Sequence, residues 1–190
     1  MNINSSGTEQ KLNRRDFLKL GGVAFAAAFV PSPSFSALMS PVQPEKSVLI
    51  YNVHTGESLK AVYWSEGKYH PDVLKDINYI LRDFRADKIQ TIDMRLLDFL
   101  NEIRLRLDTR QYFHVVSGYR SPETNERLRR NRKGVAKNSM HLYGKAVDFR
   151  VPKRNLVLVR KAAMGLRYGG VGFYPYSDFV HVDVGRRRSW

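Results

Sequence analysis

Two short valine-rich segments, AVDFRV at residues 146–151 and FVHVDV at residues 179–184, place the strongest constraint on the fold. Side chains along a β-strand point alternately to the two faces of a sheet. Each segment therefore has one apolar face, and the opposite face carries Asp148 in the first segment and His181 in the second. A buried carboxylate without a partner is costly. We therefore predict two strands with one face packed on helices and the other face open.

The rest of the chain alternates irregularly between helical and strand patterns. Cap residues and apolar side chains at helical spacing predict helices at residues 70–88, 93–107, 121–130 and 155–167. Further strand patterns lie at residues 112–119 and 168–175, and at residues 47–65 as a hairpin that turns at Thr55–Glu57. The pattern predicts an α+β fold with a small, mostly antiparallel sheet covered by helices on one face.

The first 36 residues have the layout of an export signal. Arg14 and Arg15 precede an apolar run at residues 20–30, and small residues stand before Ala37, where cleavage would fall. The arginine pair followed by x-Phe-Leu-Lys resembles the twin-arginine signal, which a translocase for folded proteins reads. The alternative is a basic tail beside a buried helix. We predict three segments: an export signal at 1–36, a flexible lead-in at 37–47 and a single domain at 48–190.

The apolar run of the signal has 11 residues, whereas a bilayer span takes about 20. We therefore expect no stable membrane span in the mature chain and a periplasmic location of the Gram-negative type. The chain has no cysteine, which excludes disulfides, thiolate metal ligands, cysteine nucleophiles and a lipid-anchored cysteine.

The charge of the chain favours an anionic partner. The formal net charge is +14, and +12 remains without residues 1–36. For an exported chain the nearest polyanion is the bacterial wall, whose peptide stems carry free carboxylates, and we expect no nucleic-acid partner. Basic clusters at residues 104–110, 127–133 and 185–190 are also typical of solvated helix faces and tails.

His141 joins the polar residues of the two strands in a candidate metal site. Adjacent strands would place Asp148 and His181 side by side, and His141 lies in the loop before Asp148, where Gly144 lets the chain turn back. Two imidazoles and one carboxylate suit a catalytic zinc, whose fourth position stays open for water. The residues alone leave two interpretations open, a metal site and a hydrogen-bonded core histidine at position 181.

Three motifs resemble one known family. SMHLYGKAVD at residues 139–148 is similar to the S-x-H-x-x-G-x-A-x-D signature of the zinc D-Ala-D-Ala-type peptidases of the LAS group. FVHVD at residues 179–183 resembles their second histidine motif, and SGYRS at residues 117–121 resembles their arginine-bearing strand end. The signal and NVHTGESL at residues 52–59 narrow the resemblance to the murein endopeptidase K-like members. It implies a hedgehog/DD-peptidase-like fold for the domain.

The resemblance also implies a cofactor and an activity. His141, Asp148 and His181 would bind Zn²⁺, and the zinc peptidase domain would hydrolyse peptide cross-links in peptidoglycan. The bonds would be those from D-alanine to diaminopimelate, those between two diaminopimelates, or both. The alternatives are a carboxypeptidase that trims terminal D-alanine and a non-catalytic peptidoglycan-binding module.

Three polar residues around the proposed ligands receive roles from the same resemblance. Arg120 would bind the substrate carboxylate or polarise the scissile carbonyl, a task that suits its fork of donors. Ser117 would support the strand end that carries Arg120. Ser139 would brace the loop of His141.

The general base is where the sequence departs from part of the family. Many relatives have a glutamate three residues before the second histidine, whereas this chain has Asp178, which is one methylene shorter. The base is therefore either Asp178 or another group. Asp183 shares the strand face of His181 and is expected to orient its imidazole. The remaining histidines are expected to be structural or exposed: His54, His70 and His114.

Overall fold

A computed structural model of the chain describes residues 44–131 and 134–190. The predicted export signal and most of the predicted lead-in therefore lie outside the described residues. The described strands are β1 (Lys46–Asn52), β2 (Ser58–Ser65), β3 (Lys68–Tyr69), β4 (Phe113–Ser117), β5 (Ala146–Arg150), β6 (Gly170–Tyr174), β7 (Phe179–Asp183) and β8 (Arg188–Ser189). The described helices are α1 (Pro71–Ile80), α2 (Met94–Arg106), α3 (Pro122–Asn131) and α4 (Leu156–Leu166), with 3-10 helices at Met140–Tyr143 and Pro175–Ser177.

The predicted α+β class is confirmed, with a mixed sheet. The eight strands form one sheet in the order β3-β2-β1-β4-β5-β7-β6-β8. Most neighbours are antiparallel, but β1 pairs with β4 and β6 pairs with β8 in parallel. The sequence patterns did not predict these two parallel pairings. Parallel neighbours need a long crossover, and α1 and α2 lie on the connection between β1 and β4. Among the described helices, none has the length and apolarity that a bilayer span requires.

The hydrophobic core lies between helices α1, α2 and α4 and the valine-bearing face of the sheet. The N-cap of helix α2 is Asp93, whose side chain accepts a hydrogen bond from the backbone of Arg95. The N-cap of α4 is Asn155, whose side chain accepts from the backbone of Val157. Both caps satisfy backbone donors that a helix start otherwise leaves open. The side chains of α2 that belong to this core are Leu96, Leu97, Phe99, Leu100 and Ile103.

Helix α1 is shorter than the pattern predicted, because tertiary contacts hold the chain after residue 80. The carbonyl of Leu81 accepts a hydrogen bond from the backbone of Tyr119 at 2.8 Å. The buried Asp83 carboxylate accepts from the backbone and the hydroxyl of Ser121 at 2.9 and 2.7 Å. These bonds fix the segment that follows β4, which carries the candidate site.

Candidate active site

The pairing of β5 with β7 brings the two predicted strand ligands together. In this antiparallel pair Asp148 stands directly opposite His181, as the alternating faces predicted. Their chain neighbours, Val147 on β5 and Val182 on β7, are fully buried in the core. The two polar side chains therefore project from the sheet face opposite the core.

The loop before β5 brings His141 to the same place. His141 lies in the 3-10 helix Met140–Tyr143, whose N-cap is Ser139, and the Ser139 hydroxyl accepts from the backbone of His141 at 3.4 Å. Gly144 ends the turn at φ +63°, and a Cβ there would lie 2.3 Å from the carbonyl oxygen of Thr91. Glycine is therefore the residue that this turn accommodates without strain.

Hydrogen bonds fix which imidazole nitrogens face the site. Nδ1 of His141 lies 2.7 Å from the carbonyl oxygen of Gly118, which can only accept, so Nδ1 carries the proton and Nε2 is the free nitrogen. Nε2 of His181 lies 3.0 Å from a carboxylate oxygen of Asp183 and donates to it. Nδ1 of His181 therefore faces Asp148. Such partners set the tautomer and orientation of metal-binding histidines.

Three ligand atoms form a compact triangle on the open face of the sheet. Nε2 of His141 lies 3.2 Å from Nδ1 of His181 and 3.2 Å from Oδ1 of Asp148. Nδ1 of His181 lies 2.7 Å from the same Oδ1. Tetrahedral zinc with nitrogen and oxygen ligands places neighbouring ligand atoms about 3.3 Å apart. The donor set and its spacing therefore fit a divalent metal such as zinc, and within the described residues these three form the one such group.

The protonation of the triangle follows from burial and charge. Burial opposes the charge on Asp148, but His141 and His181 hold its pKa well below the usual range. Burial lowers the pKa of His141 and outweighs the attraction of Asp148. His181 is also buried, yet hydrogen bonds to Asp148 and Asp183 raise its pKa to about 9. Since a metal-bound imidazole must be unprotonated at the ligating nitrogen, a metal bound at this site would displace the proton that His181 shares with Asp148.

A chain of charged groups continues behind His181. The fully buried Asp183 receives the His181 imidazole and is held by Arg188, whose Nη1 and Nη2 lie 3.1 and 2.7 Å from its two carboxylate oxygens. The backbone of Gly185 donates to the same carboxylate at 2.8 Å. Although burial opposes it, these donors lower the pKa of Asp183. Asp183 thus makes the contact with the His181 imidazole that the sequence predicted.

Substitution of Asp183 by asparagine is expected to weaken metal binding about 10- to 100-fold, because the neutral amide lacks the charge that increases the basicity of His181 and accepts its hydrogen bond less strongly. Competition with a chromogenic chelator measures this affinity directly. Asp72→Asn is the matched control, since Asp72 is exposed and pairs with Lys75. Equal affinities for the two variants would contradict the role of Asp183.

Arg120 lies against the triangle on the β4 side. Its Nη2 lies 2.8 Å from Oδ2 of Asp148, and its Nε donates to the hydroxyl of Ser117 at 3.0 Å. The backbone of Arg120 donates to the carbonyl of His141 at 3.1 Å. The structure therefore brings Ser117 and Arg120 together with the three candidate ligands. The hydrogen bond between Ser117 and Arg120 is consistent with the proposed support of Arg120 by Ser117.

Asp178 has a different position. It follows the 3-10 helix Pro175–Ser177 with φ +52°, just before β7. Its carboxylate is 67% exposed and lies 3.6 Å from Nε of Arg150, and it is not part of the ligand triangle. Its role as a base therefore remains a proposal.

The three remaining histidines have other surroundings. Nε2 of His54 lies 3.0 Å from the carbonyl oxygen of Val116, and Nε2 of His70 lies 2.7 Å from the hydroxyl of Ser65. The His114 ring lies 4.8 Å from that of Tyr51. None of the three belongs to the ligand triangle.

The sequence pattern did not predict that residues 185–190 contribute to the site beyond forming a basic cluster. In the structure, Arg188 holds Asp183 and the ring of Trp190 lies 5.4 Å from that of His181. A two-residue strand has no periodicity to detect, so no local signal marked β8.

Comparison with known proteins supports the resemblance found in the motifs. The family model described as Peptidoglycan L,D-endopeptidase MepK matches residues 40–190. The chain is 46% identical over 178 residues to the peptidoglycan L,D-endopeptidase MepK of Escherichia coli K12, covering 94% of this chain and 97% of that protein. It is 39% identical to the probable peptidoglycan L,D-endopeptidase MepK of Haemophilus influenzae Rd, covering 94% and 95%. The chain belongs to the peptidoglycan L,D-endopeptidase MepK family.

Proposed function

We propose that the protein is a zinc-dependent peptidoglycan endopeptidase that hydrolyses peptide cross-links of the bacterial wall. The observation that carries the proposal is the buried triangle of His141, Asp148 and His181, with Arg120 beside it on the open face of the sheet. A site of this composition provides three protein ligands and an adjacent cation, which suits metal-assisted amide hydrolysis.

The cross-link between two diaminopimelates is the proposed substrate. Relatives of this chain are named L,D-endopeptidases, and a cross-link between diaminopimelates joins an L-centre of one residue to a D-centre of the other. The cross-link from D-alanine to diaminopimelate joins two D-centres instead. The name of the relatives therefore favours the first of the two bonds.

The residues around the candidate metal site have different proposed roles in hydrolysis. When bound, zinc lowers the pKa of a water molecule toward about 7 and polarises the scissile carbonyl. Arg120 presents a guanidinium next to the ligands, where its donors stabilise the negative charge that develops on the carbonyl oxygen. Ser117 holds the Nε of Arg120, and Ser139 holds the loop of His141. Asp178 is the proposed acceptor of the proton from the attacking water.

Export through the twin-arginine pathway completes the proposal. The alignment with the Escherichia coli relative covers 178 residues, which is more than the 154 residues that follow position 36. The similarity therefore extends into the proposed signal. A periplasmic location would bring the positive charge of the mature chain to the acidic peptide stems of peptidoglycan.

Incubation of the protein with purified sacculi, with and without a chelator, tests the proposal. We expect dimers linked through two diaminopimelates to disappear from the muropeptide profile, and we expect the chelator or His141→Ala to prevent this. Loss of dimers linked through D-alanine would correct the bond. Loss of terminal D-alanine alone would indicate the carboxypeptidase, and binding without cleavage would indicate a wall-binding module.

Asp178→Asn tests the proposed base. The substitution is expected to lower kcat about 100-fold, since general base catalysis contributes on the order of 10²–10⁴, and to leave metal affinity unchanged. Asp87→Asn is the control, because Asp87 is likewise an exposed carboxylate beside an arginine. A kcat within about twofold of the parent protein would assign the base to another group.

A further inference from the structure

The C-terminal residue is fixed beside the candidate site by its backbone. Strand β8 pairs in parallel with β6. The backbone of Phe173 donates to the carbonyl of Trp190 at 2.9 Å, and the backbone of Trp190 donates to the carbonyl of Val171 at 3.3 Å. Trp190 is therefore held in place by backbone hydrogen bonds to β6.

The indole of Trp190 covers the sheet face next to His181. Gly172 stands opposite His181 in the pairing of β6 with β7, and a Cβ at position 172 would lie 2.7 Å from the indole ring. The absent side chain of Gly172 thus leaves the space that the indole occupies. Nε1 of Trp190 donates to the hydroxyl of Tyr174 at 2.8 Å, and the indole lies 5.4 Å from the His181 ring.

The sheet register places Trp190 across the candidate metal site from Arg120. Strand neighbours run in the order Ser117, Asp148, His181 and Gly172. Ser117 holds Arg120 at one end of this row, and Trp190 lies over Gly172 at the other end. A peptide that crosses the metal ligands along this row therefore passes between a guanidinium and an indole.

Trp190 remains half exposed despite these contacts. Its exposed fraction is 46%, although its ring lies against Gly172 and Tyr174 and its Nε1 is already satisfied. The guanidinium of Arg188 lies 4.9 Å from the centre of the indole ring, and the rest of the exposed indole surface is apolar. An exposed indole surface held by neighbouring side chains favours contact with aliphatic chains.

We propose that Trp190 forms one wall of the substrate groove and binds the side chain of a cross-linked diaminopimelate through its alkyl chain. This inference rests on the proposed function. It adds a specificity-determining residue to the site, because D-alanine carries only a methyl group to place on the indole. The contact is made with substrate, so it is expected to act mainly on KM.

Kinetics of Trp190→Ala on a soluble dimer linked through two diaminopimelates test the inference. We expect KM to rise about 10-fold, which is the effect of losing roughly 1.4 kcal/mol of binding, with a smaller change in kcat. Metal affinity, measured by chelator competition, should stay within about twofold, and Trp190→Phe should restore most of the KM. An unchanged KM would overturn the inference. A loss of metal affinity as large as that of Asp183→Asn would also overturn it, because Trp190 would then be a structural residue.

Fluorescence gives a second readout that does not depend on cleavage. The chain has two tryptophans, so Trp64→Phe leaves Trp190 as the one that emits. In a Trp64→Phe, His141→Ala protein, the dimer is expected to change the emission of Trp190, and constant emission at a saturating dimer concentration would count against the wall. If the dimer changes the emission but the parent protein cleaves no cross-link, the proposed function is wrong. The binding role of Trp190 would then still hold.

Discussion

Replacement of Asp148 by asparagine is expected to abolish hydrolysis, with a fall in kcat of at least about 10³-fold, because both metal binding and the position of Arg120 depend on this carboxylate. Oδ1 lies 2.7 and 3.2 Å from nitrogens of the two candidate ligands His181 and His141, and Oδ2 lies 2.8 Å from Nη2 of Arg120. An asparagine keeps the shape of the side chain and removes its charge. Metal content by elemental analysis should fall together with activity.

The same substitution is expected to destabilise the metal-free protein by about 3 kcal/mol, since removal of one partner from a buried ion pair leaves the other charge uncompensated. The side chains of Arg120 and Asp148 are only 12% and 7% exposed. Urea unfolding in the presence of a chelator measures this loss, with Asp87→Asn as the exposed control. A variant that retained stoichiometric metal and more than about a tenth of the activity would contradict the assignment of Asp148 as a ligand.

The strand part of the site was predictable because a period of two residues fixes faces. Once AVDFRV and FVHVDV are strands with valines toward the core, Asp148 and His181 must share the opposite face. Their direct pairing follows from the register of β5 with β7, and a slip of one residue would have moved the valines out of the core. The hydrophobic pattern therefore predicted the close approach of Asp148 and His181.

The approach of His141 was not predictable from physical pattern alone. It depends on a left-handed turn at Gly144 and on the carbonyl of Gly118, which is 23 residues away in sequence. Local propensities for helix, strand and turn contain no information about a partner that lies so far away in the sequence. The residue pattern placed His141 in the loop before Asp148 as a candidate ligand, and the motif resemblance supported it. The structure adds the contact with Gly118, which leaves Nε2 free to bind a metal.

Two failures of prediction have the same physical cause, which is tertiary contact overriding local pattern. Helix α1 ends at residue 80 because Leu81 and Asp83 bond to the segment after β4. Strand β8 exists because β6 offers a free edge and Asp183 offers a buried charge to Arg188. Neither partner is visible within a short window of sequence.

The basic clusters also have different environments. Arg129 and Arg130 pair with Glu126 on the surface of α3, which matches the solvated helix face that the sequence allowed. Exposed pairs of this kind contribute about 0–1 kcal/mol. Arg188, in contrast, compensates the buried charge of Asp183 behind a candidate metal ligand. A count of positive charges therefore does not indicate which arginine matters to the site.

Substitution of Arg120 by lysine is expected to lower kcat about 10²- to 10³-fold while metal affinity changes much less, because Arg120 acts on the charge that develops during hydrolysis. The guanidinium already uses Nε for Ser117 and Nη2 for Asp148. A lysine carries the same charge on a single nitrogen and cannot hold both partners while it also faces the substrate. Single-turnover rates on the cross-linked dimer, measured at saturating metal, separate this effect from metal loss.

Ser117→Ala provides the matched control for Arg120, because it removes one partner of the guanidinium and leaves the charge in place. We expect this change to lower kcat about 3- to 10-fold in the parent protein and to have no further effect in the Arg120→Lys background, since contacting residues that serve one interaction are not additive. Additive losses would show that Ser117 acts independently of Arg120. A kcat near the parent value for Arg120→Lys would mean that the charge alone suffices and that the fork of donors has no part in hydrolysis.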